Sequence, residues 1–294
     1  MQTNSSFAPA PLKRIASIHD MSAYGRCALS VILPVLSAMG HQCLPLPTAA
    51  LSTHTGGFTD MAMADLTNFL GQALLHWQEE GIDCHCLYSG FLASDRQIET
   101  VRQYISAYPQ ALAVVDPVLG DNGEGYQTCT PRLIEKMREL VCRADIITPN
   151  VTEACMLLDI PYQPELDKNT LSDILKRLSE KGPGRVVVTG VISSADTLSN
   201  AGYDAETGKM FLSESPYFPV HYPGTGDIYA SVLIGSLLKD VSFEQAILSA
   251  ADFTSECIKL TYEAQTEPRQ GVLLEKALPL LWKNELLYGK DAAL

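Results

Sequence analysis

The sequence lacks any apolar run of membrane-spanning length, and its first dozen residues, MQTNSSFAPAPL, hold no apolar stretch of the kind that fills a secretory signal. The expectation is a soluble, cytoplasmic protein with a loose tail at 1–12. Basic residues are few: 21 Lys and Arg stand against 34 Asp and Glu, a formal net charge of −13. That balance repels polyanions and argues against a general nucleic-acid or anionic-membrane surface. An anionic ligand would need a local cation or a local nest of N–H groups. The eight cysteines show no compact framework spacing, which argues against a disulfide scaffold. Cys84-His85-Cys86 has no second pair at zinc spacing and lies in a strand-like alternation, so it reads as small core residues. No repeat, low-complexity tract or linker divides residues 13–294, and one domain is expected there.

What is present is an alternation of short β-rich runs with longer helical patterns. RIASIHD at 14–20 reads as a first strand, and ALSVILPVLSAMG at 28–40 as a helix containing Pro34. HQCLPLPTAAL at 41–51, with two prolines, reads as an extended or edge segment rather than a regular central strand. Asp60 is expected to open a long amphipathic helix that stops at Gly81. DCHCLYSGFL, ALAVVDPVLGD, ADIITPN and GRVVVTG are four further strands, and their continuous apolar runs suit a parallel sheet covered by helices on both faces. TLSNAGYDAETGKMFLSES reads as an antiparallel hairpin, followed by helices at 226–239, about 243–263 and about 272–287. In parallel α/β sheets the ligand site lies beyond the carboxyl ends of the strands. The polar residues closing these runs, Asp20, Asp116, Asp121, Asn150 and Thr189, are thereby brought towards one rim.

The stretch HYPGTGDIYASVLIG, 221–235, sets Gly224 and Gly226 at the start of an apolar helix, where unpaired N–H groups can hold a phosphoryl group. Asp227 beside that anion site has two readings. It is either a base that takes the proton of a hydroxyl attacking phosphorus, or a carboxylate that favours the helix dipole. The other rim residues favour the first. Asp116 and Asp121 in DPVLGD, with Asn150 and Glu153 in TPNVTE, are hard oxygen donors suited to Mg²⁺, the usual partner of nucleotide phosphates. Each also has an ordinary role: Asp121 could begin a turn, and Asn150 could cap the helix that bears Glu153. Asp20, Thr48 and His54 follow or end extended segments and could hydrogen-bond a small polar ring, although a lone His is more often structural.

PGTGD at 223–227, DPVLGD at 116–121 and ITPNVTE at 147–153 resemble the ribokinase-like superfamily of ATP-dependent small-molecule kinases. SIHDMSAYGRCAL, LPTAALSTHTGGF and YSGFL are similar to its vitamin B6 kinase branch, and the resemblance runs from about Arg14 to Leu274. It implies a three-layer α/β/α fold with a central, mostly parallel sheet, and commonly a homodimer. By matching position it implies Asp227 as catalytic base and Gly224, Thr225 and Gly226 as anion hole. Asp121 and Glu153 would organise Mg²⁺ through water, and Asp116 and Thr148 would lie near a monovalent cation such as K⁺ and the phosphates. Asn150 and Thr189 would contact the nucleotide phosphates, Tyr126 would stand on a loop beside them, and Thr48, His54 and Phe91 would form the vitamin pocket.

This chain departs from the branch at the ring pocket, with Asp20 where Ser is usual, Met21 where His is usual and Phe91 where Tyr is frequent. An aspartate near position 20 is similar to the hydroxymethylpyrimidine kinases of thiamine synthesis. An ionised Asp20 has no donor for an aldehyde oxygen and would accept from an amine or a protonated ring nitrogen. The expected activity is ATP-dependent phosphorylation of the hydroxymethyl group of a B6 vitamer, pyridoxamine, pyridoxal or pyridoxine. A hydroxymethylpyrimidine kinase is the alternative. A non-catalytic vitamin or nucleotide sensor would be favoured by loss of the base or anion hole, and both are present.

Overall fold

The computed structural model describes residues 12–283. The tail expected at 1–12 therefore lies outside the described residues except for Leu12, as does the end of the helix expected at 272–287. In chain order the elements are β1 (Arg14–Ser22), α1 (Leu29–Ala38), β2 (Gln42–Leu51), β3 (Met63–Asp65), α2 (Thr67–Glu80), β4 (Cys86–Ser89), α3 (Asp95–Ala107) and β5 (Leu112–Val115). A small hairpin of β6 (Gly120–Asp121) and β7 (Glu124–Gly125) leads to α4 (Pro131–Val141), β8 (Ile146–Ile147), α5 (Val151–Leu158) and α6 (Lys168–Ser179). Then come β9 (Arg185–Ser194), β10 (Thr197–Asp204), β11 (Lys209–Pro216), α7 (Thr225–Leu237), α8 (Phe243–Glu263), a 3₁₀ turn at Pro268–Gln270 and α9 (Leu274–Lys283).

Nine strands form one sheet in the order β11-β10-β9-β8-β5-β4-β1-β2-β3. From β2 across to β9 all neighbours are parallel, and β3, β10 and β11 add antiparallel edges. Alternation along each strand separates two cores, because successive side chains point to opposite faces. Ala16, Ile18, Leu87, Val115, Ile147, Val186 and Val188 pack with side chains of α2 to α6 on one face. Ile15, Cys86, Tyr88, Val114, Ile146 and Val187 pack with α1, α7, α8 and α9 on the other. The result is the expected three-layer α/β/α architecture with a mostly parallel sheet.

Two elements differ from the sequence reading. HQCLPLPTAAL forms a strand along β1 from Gln42 to Leu51, but β3 pairs only Ala49, Ala50 and Leu51, so at Pro45 and Pro47 the other edge of β2 is open and the strand tolerates proline as an edge strand does. The helix expected from Asp60 starts at Thr67, because Met63–Asp65 is drawn into the sheet and the Asp65 carboxylate accepts the N–H of Thr67 at 2.8 Å. Its stop at Gly81, in a left-handed conformation, is as expected. The eight cysteines are free, and His85 of the Cys-His-Cys run accepts the backbone N–H of Arg14. Among the described residues no helix is long and apolar enough to cross a membrane.

Candidate active site

The carboxyl ends of β1, β5, β8 and β9 open into a cleft of about 620 Å³, into which the start of α7 also projects. At that helix start, Gly224 adopts φ 84°, and a Cβ there would lie 2.1 Å from the carbonyl oxygen of Arg26. Only glycine satisfies both constraints. The first helical hydrogen bond runs from Ile228 N–H to Gly224 O, and the N–H groups of Thr225, Gly226 and Asp227 have no protein acceptor among the described residues. These three donors, with the helix dipole behind them, make an anion site. The Thr225 hydroxyl is turned back to donate to Tyr222 O at 3.2 Å.

Asp227, in the first turn of α7, points its carboxylate into the cleft and accepts the Ala28 N–H at 2.7 Å. Burial pushes its carboxyl up to about 7, the Ala28 hydrogen bond opposes the rise, and the charge of Asp20 adds to it. A carboxylate near neutrality is suited to taking a proton at physiological pH. Asp20 lies in a register shift of β1 against β2 and is buried; its Oδ2 accepts the Ser22 hydroxyl at 2.9 Å. Burial raises its pKa, partly offset by Ser22 and by His54.

Across the cleft the tight β6–β7 hairpin, with Asn122-Gly123 at its tip, presents Asp121, whose Oδ1 accepts the Asn122 N–H at 2.8 Å while His221 stands 3.4 Å from Oδ2. Tyr126 follows on the same loop, tied by its N–H to Leu119 O at 2.9 Å. Asn150 and Glu153 form a reciprocal cap on α5: Asn150 Oδ1 accepts Glu153 N–H at 2.9 Å, and Glu153 Oε2 accepts Asn150 N–H at 2.8 Å. Asn150 Nδ2 donates to Gly120 O at 2.8 Å, which anchors the hairpin to the same cap. Glu153 Oε1 further accepts the Leu119 N–H at 3.2 Å. Burial pushes Glu153 up to about 8 against these donors, with Asp121 adding to the rise. Burial, then the charges of Glu153 and Asp227, pushes Asp116 well above the carboxylate range. Thr148, whose buried hydroxyl has no partner, and Thr189, whose N–H donates to Pro149 O, complete this wall.

The cleft therefore gathers Asp20, His54, Phe91, Asp116, Asp121, Tyr126, Thr148, Asn150, Glu153, Thr189 and the 224–227 turn. Thr48 stays out of it. Its hydroxyl donates to Phe91 O at 3.2 Å and its carbonyl accepts Gln97 Nε2, so it supports Phe91 from behind. His54 lines the cleft with both ring nitrogens engaged, Nε2 with Arg269 O at 2.7 Å and Nδ1 with the Gly56 N–H at 3.1 Å, which leaves ring carbon for a ligand. Among the described residues no three His, Cys, Asp or Glu side chains are close enough to hold a metal ion directly.

Three features escaped the sequence reading. His19 lies beneath Asp227, its Nδ1 3.7 Å from Oδ1. The Ala28 N–H holds the other oxygen. Arg26, in the loop between them, donates from Nε to both oxygens of Glu275 at 2.9 Å and from Nη1 to Gln270 O, tying that loop to α9. These depend on tertiary contacts, and the Arg26–Glu275 pair spans 249 positions of sequence.

An α/β/α fold with unpaired N–H groups at a helix start, a carboxylate in its first turn and further carboxylates opposite is that of the ribokinase-like kinases. Residues 33–272 match the model of the phosphomethylpyrimidine kinase family, and the chain belongs to that family. Its structure superimposes with a TM-score of 0.89 on a Bacteroides thetaiotaomicron protein provisionally described as a phosphomethylpyrimidine kinase, 39% identical, covering 94% of this chain and 96% of the other. A second crystal form of that protein contains pyridoxal. Pyridoxal kinase of Lactobacillus plantarum is 34% identical with a TM-score of 0.86, covering 93% of this chain and 98% of that one. A curated pyridoxal kinase of Deinococcus radiodurans is 27% identical over 279 residues, 91% of this chain and 93% of the relative.

Proposed function

We propose that this protein is a cytoplasmic kinase that transfers the terminal phosphoryl group of ATP to the hydroxymethyl group of a B6 vitamer. The observation that carries the reading is the Asp227 carboxylate in the first turn of α7, next to three N–H groups without protein acceptors. Similarity to pyridoxal kinases, and to a protein crystallised with pyridoxal, supports the choice of acceptor. The substrate hydroxyl, set between Asp227 and the terminal phosphorus, gives its proton to the carboxylate as its oxygen attacks. The new O–P bond forms as the bond to the bridging oxygen breaks and ADP leaves. Charge on the transferring group is met by the N–H groups of Thr225, Gly226 and Asp227.

Mg²⁺ fits the donor set opposite. Asp121 and Glu153 are oxygen donors, and the burial that pushes Glu153 up to about 8 marks a carboxyl that a cation would ionise. When bound, Mg²⁺ would neutralise nucleotide phosphate charge, held by these residues through water; a monovalent cation such as K⁺ would lie near Asp116. Asn150 and Thr189 would face the phosphates, Tyr126 would cover them, and Asp20, His54 and Phe91 would surround the ring, with Thr48 fixing Phe91. A homodimer is part of the reading. Eight free thiols suit the reducing cytoplasm.

Asp20 favours a second acceptor. A buried carboxylate at the ring end would take a hydrogen bond from an amine, which both pyridoxamine and hydroxymethylpyrimidine carry. Initial rates of ADP release with pyridoxal, pyridoxine, pyridoxamine and hydroxymethylpyrimidine test both. Turnover of B6 vitamers supports the proposal, and a drop in the pyridoxamine to pyridoxal rate ratio in Asp20→Ser assigns the preference to Asp20. Turnover of the pyrimidine alone moves the protein to thiamine synthesis, and none at all favours the sensor.

A further inference from the structure

His19 is fully buried, and neither of its ring nitrogens makes a hydrogen bond of good geometry; the Tyr88 backbone approaches the ring without completing one. A buried polar atom left unpaired costs stability, so its retention asks for a reason. Its position supplies one. The ring edge packs on Tyr88 with centroids 4.3 Å apart, and residue 90 is a glycine whose Cβ would come within 2.3 Å of the imidazole. So held, Nδ1 stands 3.7 Å from Asp227 Oδ1, on the side of the carboxylate that Ala28 does not serve. That gap exceeds a hydrogen bond by roughly 0.7 Å, and catalytic hydrogen bonds commonly tighten only in the reacting complex.

We propose that His19 is a positioning residue for the base, whose neutral Nδ1–H closes onto Asp227 Oδ1 when substrate is bound and, with the Ala28 N–H, fixes the carboxylate for proton transfer. The inference rests on the reading of Asp227 as base. The ring remains neutral throughout, since burial holds its pKa down to about 3 and the Tyr88 backbone offsets this only in part. It donates a hydrogen bond and exchanges no proton; the substrate proton ends on Asp227. The other titratable groups facing Asp227 are Asp20 from β1, Cys27 from the loop that follows, Tyr88 from β4, Asp116 beyond β5 and Tyr126 beyond β7. None offers a cation, so a neutral donor is what this surrounding leaves to hold the ionised form.

The test is the pH dependence of kcat/KM, whose acidic limb reports the base in the free enzyme, and of kcat, which reports it with substrate bound. His19→Phe keeps a ring and removes Nδ1; His19→Asn puts an amide N–H at the Nδ1 position, and His19→Gln puts one further out. The expected result is an acidic limb of kcat moved up by about one pH unit in Phe and Gln, with recovery in Asn. Limbs that coincide in all four proteins, or that move equally in Asn and Gln, overturn the inference. Should Phe not fold, Asn against Gln decides alone. Asp227→Asn in the same assay separates the two readings: if it retains turnover, the base assignment itself falls.

Discussion

Asp227 Oδ2 lies 2.7 Å from the backbone N–H of Ala28, and Ala28 makes that contact from a φ of 48° that an L side chain rarely adopts. The carboxylate proposed as the base is thus held by a main-chain donor in a strained residue at the entrance to α1. Strain of this kind persists where surrounding contacts over-determine it, and here the neighbouring Arg26 is locked to Glu275 and Gln270.

Ala28→Gly should relieve the strain while keeping the N–H. The expected outcome is an unchanged or higher Tm, worth up to about 1 kcal/mol, with turnover within a few-fold of the parent. Ala28→Pro removes the donor and fixes φ near −65°, and should abolish turnover. Thermal unfolding and initial rates check both.

Asp227→Asn should change how stability depends on pH. The folded pKa, about 7, lies above the unfolded carboxylate value, so between those values the folded state binds more protons. Stability from this group is therefore full below the unfolded pKa and is lost as pH rises towards 7. The Asn variant lacks that loss. It should match the parent near pH 4 and exceed it by a few kcal/mol at most, about 2–4, at pH 8; denaturant titrations at the two pH values measure the difference.

Gly224→Ala meets both a forbidding φ and the Arg26 carbonyl 2.1 Å from its new Cβ. It should cost about 2 kcal/mol or more of stability and displace the N–H groups from phosphate, lowering turnover at least about 100-fold. A soluble variant with parental kcat would contradict the anion-site assignment.

Asp121 stands near buried Glu153 on one wall of the cleft, so Mg²⁺ should raise the Tm of the parent in the presence of ADP, by mass action on the folded state. Asp121→Asn keeps an acceptor for the Asn122 N–H and so preserves the hairpin. The Mg²⁺-dependent rise should shrink in that variant, and chelation should erase it in the parent.

The sheet was legible because its strands are continuous apolar runs that end in polar residues, and DPVLGD and TPNVTE could be placed on one rim from that alone. Asn150 could be read as a cap because its partner is three residues away. What was hidden depends on contacts between distant segments. Thr48 sits beside His54 in sequence terms, yet its hydroxyl turns behind Phe91. His54 spends both nitrogens on backbone, one of them at Arg269, 215 positions on. The helix start was misplaced because β3 pairs with β2, a choice made by sheet edge completion rather than by local propensity. His19 lies within RIASIHD, read only as a strand, and only the fold brings Asp227 to it.

The most direct test of the account is the rate of ADP formation from ATP with pyridoxamine, measured for the parent and Asp227→Asn at pH 8 beside direct binding of the vitamer. Loss of turnover by about 10²- to 10⁴-fold, with affinity changed no more than a few-fold, is the result expected of a base in phosphoryl transfer. Turnover retained in the Asn variant, or absent from the parent, would contradict it.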